Sequence, residues 1–247
     1  MFWKRKPKSP ITTEDETWIV ECYQWFEETF ERDLSTQEIF LPTKSFLDFD
    51  YMGSEDDAIE IVNIIAEKLE IKDSSIEVYF FDEFQPIEFT DEGIYSNYEE
   101  GTQLTDGLYS KLVDGIYQIG IESSLLKDPV KLIATTAHEL SHIKLIGEER
   151  LEENDEPLTD LTASLFGFVI FMANSSIGKM TTWSGNTHMG WQIGGGSGYL
   201  HYKLYAFLIA FWMTRRNEKN PDWLNYLDKE ILNTVRKSAK YLASKGN

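Results

Sequence analysis

Cysteine occurs once in this 247-residue chain, at Cys22. An internal disulfide is therefore excluded, and so is a structural zinc site built on several thiolates. Cys22 falls in an apolar helical stripe and reads as a small core residue rather than a nucleophile. A chain without a disulfide framework suits a reducing compartment, so a cytoplasmic location is expected. Long apolar runs are also missing. The longest, 165–173 and 204–213, fall short of the roughly 20 residues that cross a bilayer, so no transmembrane segment is expected. Met1-Phe2-Trp3-Lys4-Arg5-Lys6-Pro7-Lys8 opens like the basic start of a secretory signal, but an acidic stretch follows where an apolar one is needed.

Positive charge is scarce. The chain has 23 Lys and Arg against 42 Asp and Glu, a net of −19. The deficit is concentrated in residues 11–110, with 27 acidic side chains against 4 basic ones; the remainder has 15 against 19. So acidic a front half repels a phosphate backbone, which argues against nucleic acid as a partner. It fits either a basic partner or simply a solvated acidic surface. No internal repeat or Pro/Gly-rich linker divides the chain. Residues 1–10 read as a basic flexible tail and 11–247 as a single domain, with 42% apolar and 14% aromatic residues to fill its core.

The pattern within that domain is helical with a few strands. Thr13-x-x-Glu16 reads as a capping box before Trp18, Cys22, Trp25, Phe26 and Phe30. Ser54 opens a second helix whose buried face is Ala58, Ile61, Val62, Ile65 and Leu69. Ile76 to Phe81 and Gly115 to Glu122 read as strands, and Pro86 to Gly107 as an acidic surface excursion. Pro157 starts a helix reaching Asn174, and 175–198 is a Gly/Ser loop, glycine-rich over 184–198. Tyr199 to Arg216 is an apolar helix, and a last helix contains Trp223, Leu227, Ile231 and Val235. The expected class is α+β, dominated by helices.

Of the 4 histidines, two lie in Thr135-Thr136-Ala137-His138-Glu139-Leu140-Ser141-His142-Ile143. His138 and His142, four apart on a helix, stand one above the other and can offer two imidazoles to one metal ion. Glu139, the next residue round, is placed for a water on that metal rather than for the metal itself. Asp128-Pro129 supplies an N-cap and a first-turn proline, and Gly147 a stop. Leu132, Ile133, Thr136, Leu140, Ile143 and Leu145 make the helix apolar on most sides. An imidazole in so buried a helix needs a partner. The alternative, a solvated face bearing two histidines, fits that apolar pattern less well. The strand 115–122 leads into this helix and is placed either to hold an extended peptide along its edge or to serve structure alone.

Two further carboxylates, Glu156 and Asp160, share a face at the start of the following helix. Both can return to the histidines, since nine intervening residues span up to about 30 Å; an acidic first turn that favours the helix dipole is the alternative. Two imidazoles and one carboxylate leave a fourth position on Zn2+ for water, whose pKa falls to near 7. Glu139 would then be the general base. Tyr199 and His201, after the glycine-rich loop, are the candidate oxyanion donors.

The segment His138 to Asp160 resembles the gluzincin group of zinc metallopeptidases, in which His-Glu-x-x-His is followed by a helix bearing Glu-x-x-x-Asp. Here that element is Glu156-Pro157-Leu158-Thr159-Asp160. The resemblance implies a zincin-like domain with a small sheet beside the His-Glu-x-x-His helix. It makes Glu156 the third metal ligand and Asp160 a hydrogen-bond partner of a ligand histidine. It covers about 23 residues. The phrase around Glu156, with Gly198-Tyr199-Leu200, also looks like a set of functionally unassigned bacterial proteins. The expected function is a zinc-dependent hydrolase, a cytoplasmic metallopeptidase acting on a peptide or protein. The alternative is a zinc-binding regulatory or interaction protein that keeps the site without turnover.

Overall fold

The computed structural model describes residues 6–72, 75–82, 88–90, 93–95, 107–113, 116–177, 182–184, 187–189 and 198–245. The helices are α1 (Thr13–Thr29), α2 (Glu55–Lys68), α3 (Pro129–His142), α4 (Glu156–Ala163), α5 (Val169–Ser175), α6 (Tyr202–Arg215) and α7 (Lys229–Lys245). The strands are β1 (Ser75–Phe81), β2 (Glu88–Thr90), β3 (Gly93–Tyr95), β4 (Gly107–Val113), β5 (Ile116–Glu122), β6 (Thr182–Ser184) and β7 (Thr187–Met189). The fold is α+β and helix-dominated, with a small three-stranded sheet and two short two-stranded pairs among the described residues. Two compact units divide it: Thr43–Thr159, and Met1–Pro42 together with Asp160–Asn247.

In the unit Thr43–Thr159 a three-stranded sheet runs in the order β1-β5-β4. β5 is parallel to β1, with Val78 opposite Ile119, and antiparallel to β4, with Tyr109 opposite Ile119. The strand leading into α3 is therefore central and hydrogen-bonded on both sides. It has no edge to offer an extended peptide, which corrects the expectation for 115–122. Among the described residues the edge nearer α3 belongs to β4, which begins where the expected excursion ends. α3 packs against α2, β4 and β5. The face expected of α2 is the one buried: Ala58, Ile61, Val62, Ile65 and Leu69. Its capping box is Ser54 with Asp57, at 3.1 Å in each direction. Within the expected excursion β2 and β3 pair as a short antiparallel hairpin. Its remaining residues, 86–87, 91–92 and 96–106, lie outside the described residues.

The other unit is helical. α1 starts one residue earlier than its sequence suggested: Thr12 is the N-cap and Asp15 its capping-box partner. Its buried stripe is Ile19, Tyr23 and Phe26, while Trp18, Cys22 and Trp25 are half-buried. Of the residues chosen from sequence, Phe26 lies on the buried face, while Trp18, Cys22 and Trp25 lie one residue away from it. The helix expected from Pro157 to Asn174 is broken by a wide turn at Ser164–Phe168, where Gly167 has φ 115°. A Cβ there would stand 2.4 Å from the Glu38 carbonyl oxygen, so the chain passes too closely for any side chain. Phe40 donates its N–H to the Gly167 carbonyl at 2.9 Å. The run Glu156–Ser175 is long and apolar enough to cross a membrane, but 89% of it is buried within the protein, as a core helix is.

α6 begins at Tyr202 rather than Tyr199, and a tight turn at Asp222–Tyr226 separates Trp223 from α7. Trp212 is fully buried and donates its indole N–H to the Leu34 carbonyl at 2.7 Å. Of the glycine-rich loop, β6 and β7 form a two-stranded antiparallel hairpin; residues 178–181, 185–186 and 190–197 lie outside the described residues. So do residues 1–5 of the basic tail, while Lys6 to Pro10 are described and not helical.

Candidate metal centre

α3 is built as its sequence specifies. The Asp128 side chain accepts the Lys131 N–H at 3.1 Å, and Pro129 occupies the first turn, where its missing N–H costs nothing. Every residue from Leu132 to His142 is buried. Ser141 satisfies its hydroxyl on the Ala137 carbonyl at 2.7 Å. The polar residues of the motif are buried with the rest: His138 is 7% exposed, Glu139 6% and His142 4%. Groups so desolvated are tolerated only when they have something to bind.

The second half of the site comes from the start of α4. Asp155 caps it, accepting the Leu158 N–H on Oδ1 at 3.0 Å. Glu156 is therefore the first helical residue, and its side chain points back over α3. Its two oxygens have different partners. Oε1 accepts the Asn154 amide at 2.7 Å, while Oε2 lies 2.9 Å from His138 Nε2 and 3.4 Å from His142 Nε2. One ligand atom from each of His138, His142 and Glu156 lies within 4.8 Å of the others.

This is the spacing a bound metal needs. Four ligands at about 2.0–2.1 Å in a tetrahedron stand about 3.3 Å from one another. The 2.9 and 3.4 Å separations bracket that edge. Two imidazole nitrogens with one carboxylate oxygen suit zinc and other first-row divalent ions. The Glu156 side chain is 27% exposed, so the cluster opens to solvent on its carboxylate side.

The electrostatics agree. Burial would raise the Glu156 carboxyl, but hydrogen bonds from His138 and His142 outweigh it and hold it well below the usual carboxylate range. The carboxylate is thus charged at any neutral pH, as a ligand must be. A metal-bound histidine ordinarily donates its second ring N–H to a partner that fixes the ring. His142 Nδ1 is buried with no such partner among the described residues. Its ring is held instead by Tyr109, stacked on it at 5.4 Å with 21° between planes. Burial pushes the Tyr109 phenol well above its ordinary range, so it stays neutral.

The remaining sequence candidates are placed as follows. Glu139 is buried on α3, about 100° round the helix from His138. Asp160 is fully buried in the other compact unit. Its Oδ2 accepts the backbone N–H groups of Tyr199 at 2.6 Å and Leu200 at 2.8 Å. Gly198, at φ 101°, makes that turn; a Cβ on it would stand 3.1 Å from the same oxygen. The Tyr205 phenol beside it is raised by burial and by the Asp160 charge. Tyr199 is 53% exposed. His201 is the N-cap of α6, its Nδ1 accepting the Lys203 N–H at 3.3 Å. Burial and the Lys203 charge lower its pKa.

Three residues of the site escaped the sequence reading. Asn154 and Asp155 stand just before Glu156, and an Asn-Asp pair ahead of Glu-Pro is a helix-start signal that could have shown both. Tyr109 sits on a strand whose partners lie elsewhere in the chain, and no local pattern shows what it stacks on. The chain matches no known protein family, no curated protein and no solved structure.

Proposed function

We propose that the protein is a zinc-dependent hydrolase, a metallopeptidase acting on a peptide or protein. The observation that carries this reading is the convergence of His138 Nε2, His142 Nε2 and Glu156 Oε2 within 4.8 Å, with Glu139 next to His138 on the same buried helix. Zinc bound by these three residues would leave one position for water, lower that water's pKa to near 7 and polarise a substrate carbonyl.

The chain's own residues have separate tasks. His138 and His142 present neutral nitrogens from a rigid helix. Glu156 supplies the negative ligand, and Asn154 keeps its other oxygen occupied. Glu139 is the general base: its carboxylate takes a proton from the attacking water and passes it to the leaving amine. Tyr199 and His201 are the proposed donors to the developing oxyanion. Asp160 holds the backbone at Tyr199, which makes it a positioning residue for that donor; its proposed bond to a ligand histidine is a second role. The free edge of β4, beside α3, is the place for an extended substrate backbone. A cytoplasmic location goes with this reading.

Two measurements on one preparation test it. Elemental analysis should find about one zinc per chain in the native protein and in Glu139→Gln, and close to none in His142→Ala. A peptide-library assay should find cleavage by the native protein that Glu139→Gln abolishes, because an amide cannot accept the proton. Near-zero metal in both the native protein and His142→Ala refutes the site. Wild-type turnover by Glu139→Gln removes Glu139 as the base.

A further inference from the structure

Basic side chains are the minority in this protein, yet four lysines meet in one place. A cavity of about 400 Å³ is lined by Lys237 and Lys240 of α7, Lys203 at the start of α6, and Lys8 in the segment Pro7–Pro10, with Thr234 and Tyr202 between them. All of these belong to one compact unit. No carboxylate lines the cavity. Among the described residues none of the four lysines forms an ion pair. Glu230, one turn before Thr234, accepts the Tyr202 hydroxyl at 3.2 Å.

Four lysines lining one hollow carry like charges, and an anion placed among them relieves their repulsion. A chain with a net charge of −19 has carboxylates in plenty to neutralise lysines, but among the described residues none pairs with these four. The first turn of α6 forms part of the wall, and the positive end of that 14-residue helix adds to the field. Lysine binds phosphate as a flexible point charge, and several together suit a multiply charged group. The volume falls within the roughly 300–1,000 Å³ of small-molecule sites.

We propose that this cavity binds a small soluble molecule carrying a di- or triphosphate group. The proposal does not depend on the metal centre, and its test separates the two. The full-length protein is titrated with inorganic pyrophosphate and with tripolyphosphate by calorimetry. Saturable binding of one anion per chain is expected. The double substitution Lys203→Gln with Lys237→Gln should weaken it at least about tenfold, as loss of charged hydrogen bonds does, and Lys8→Gln should weaken it less. Lys219→Gln, a change at an exposed lysine outside the cavity, should leave it unchanged. His142→Ala should also leave it unchanged, which rules out binding through a metal at the other site. Thermal unfolding of each variant checks that the fold is intact. Absence of saturable binding, an equal effect of Lys219→Gln, or loss of binding in His142→Ala would overturn the proposal. Binding to anionic phospholipid vesicles with none to either phosphate probe would overturn it as well.

Discussion

Tyr109 lies with its ring nearly parallel to that of His142, 5.4 Å between centroids and 21° between planes. The contact takes over a task that a hydrogen bond to Nδ1 performs in most metal-bound histidines. It also joins β4 to α3, so that the sheet and the His138, His142 and Glu156 cluster share a wall. Since the Tyr109 hydroxyl is buried with no hydrogen-bond partner among the described residues, the ring rather than the hydroxyl holds the imidazole.

Tyr109→Phe should therefore keep the metal, and Tyr109→Ala should lose roughly tenfold or more in metal affinity, the lower part of the range for residues that orient a ligand. Competition with a chromogenic chelator measures both. A loss as large in the Phe variant as in the Ala variant would assign the effect to the hydroxyl.

Acid stability should depend on Glu16, a buried residue of α1. Burial would raise its carboxyl, but hydrogen bonds from Lys245, Ser9 and Tyr241 outweigh it and lower the pKa from 4.5. A carboxyl with a lower pKa when folded than when unfolded stabilises the fold above the unfolded value. That contribution disappears as pH falls from about 4.5 through the folded pKa, with a slope of at most about 1.4 kcal/mol per pH unit. Glu16→Gln should be less stable than the native protein at pH 7, and its stability should fall less steeply below about pH 4.5. Urea unfolding at a series of pH values measures this; parallel curves for the two proteins would show that Glu16 contributes nothing.

The parts legible in the sequence were those with local causes. Asp128-Pro129 fixed where α3 begins, the i,i+4 spacing put His138 and His142 on one face, and Glu156 at the start of α4 came to them as expected. The face of α2 was legible because its apolar residues fall on one side only. α1 was legible only in part: Phe26 was found, but Trp18, Cys22 and Trp25 form a second apolar stripe beside Ile19, Tyr23 and Phe26, and the elements packed on α1, α6 and Phe166 among them, decide between the two. The central position of β5 was hidden for a related reason. Whether a strand is an edge depends on its neighbours, and β4 reads weakly as Gly-Leu-Tyr-Ser-Lys-Leu-Val. The contact of Asp160 with Tyr199 spans 39 residues, so nothing near Asp160 could announce it.

Glu156 and Asp160 stand one turn apart on α4, and their substitutions should fail in different ways. Glu156 offers Oε2 to both imidazoles, and its main tie to the rest of the chain is the Asn154 amide. Removing it takes away the only negative ligand of the three and little packing, since the side chain is partly exposed. Asp160 is fully buried and holds two backbone N–H groups. Charge-assisted bonds of this kind contribute roughly 1.5–3 kcal/mol each, and a buried donor left unpaired adds its own cost. Glu156→Ala should therefore lose metal most strongly, with a smaller loss of stability than Asp160→Ala. Asp160→Ala should lose roughly 2–4 kcal/mol of stability, with metal affinity falling about 10–100-fold if it also orients a ligand histidine. Metal affinity and urea midpoint are measured on both variants. A greater loss of metal in folded Asp160→Ala than in Glu156→Ala would make Asp160 the ligand, and an unchanged midpoint in Asp160→Ala would show that its bonds to Tyr199 and Leu200 do not hold the turn.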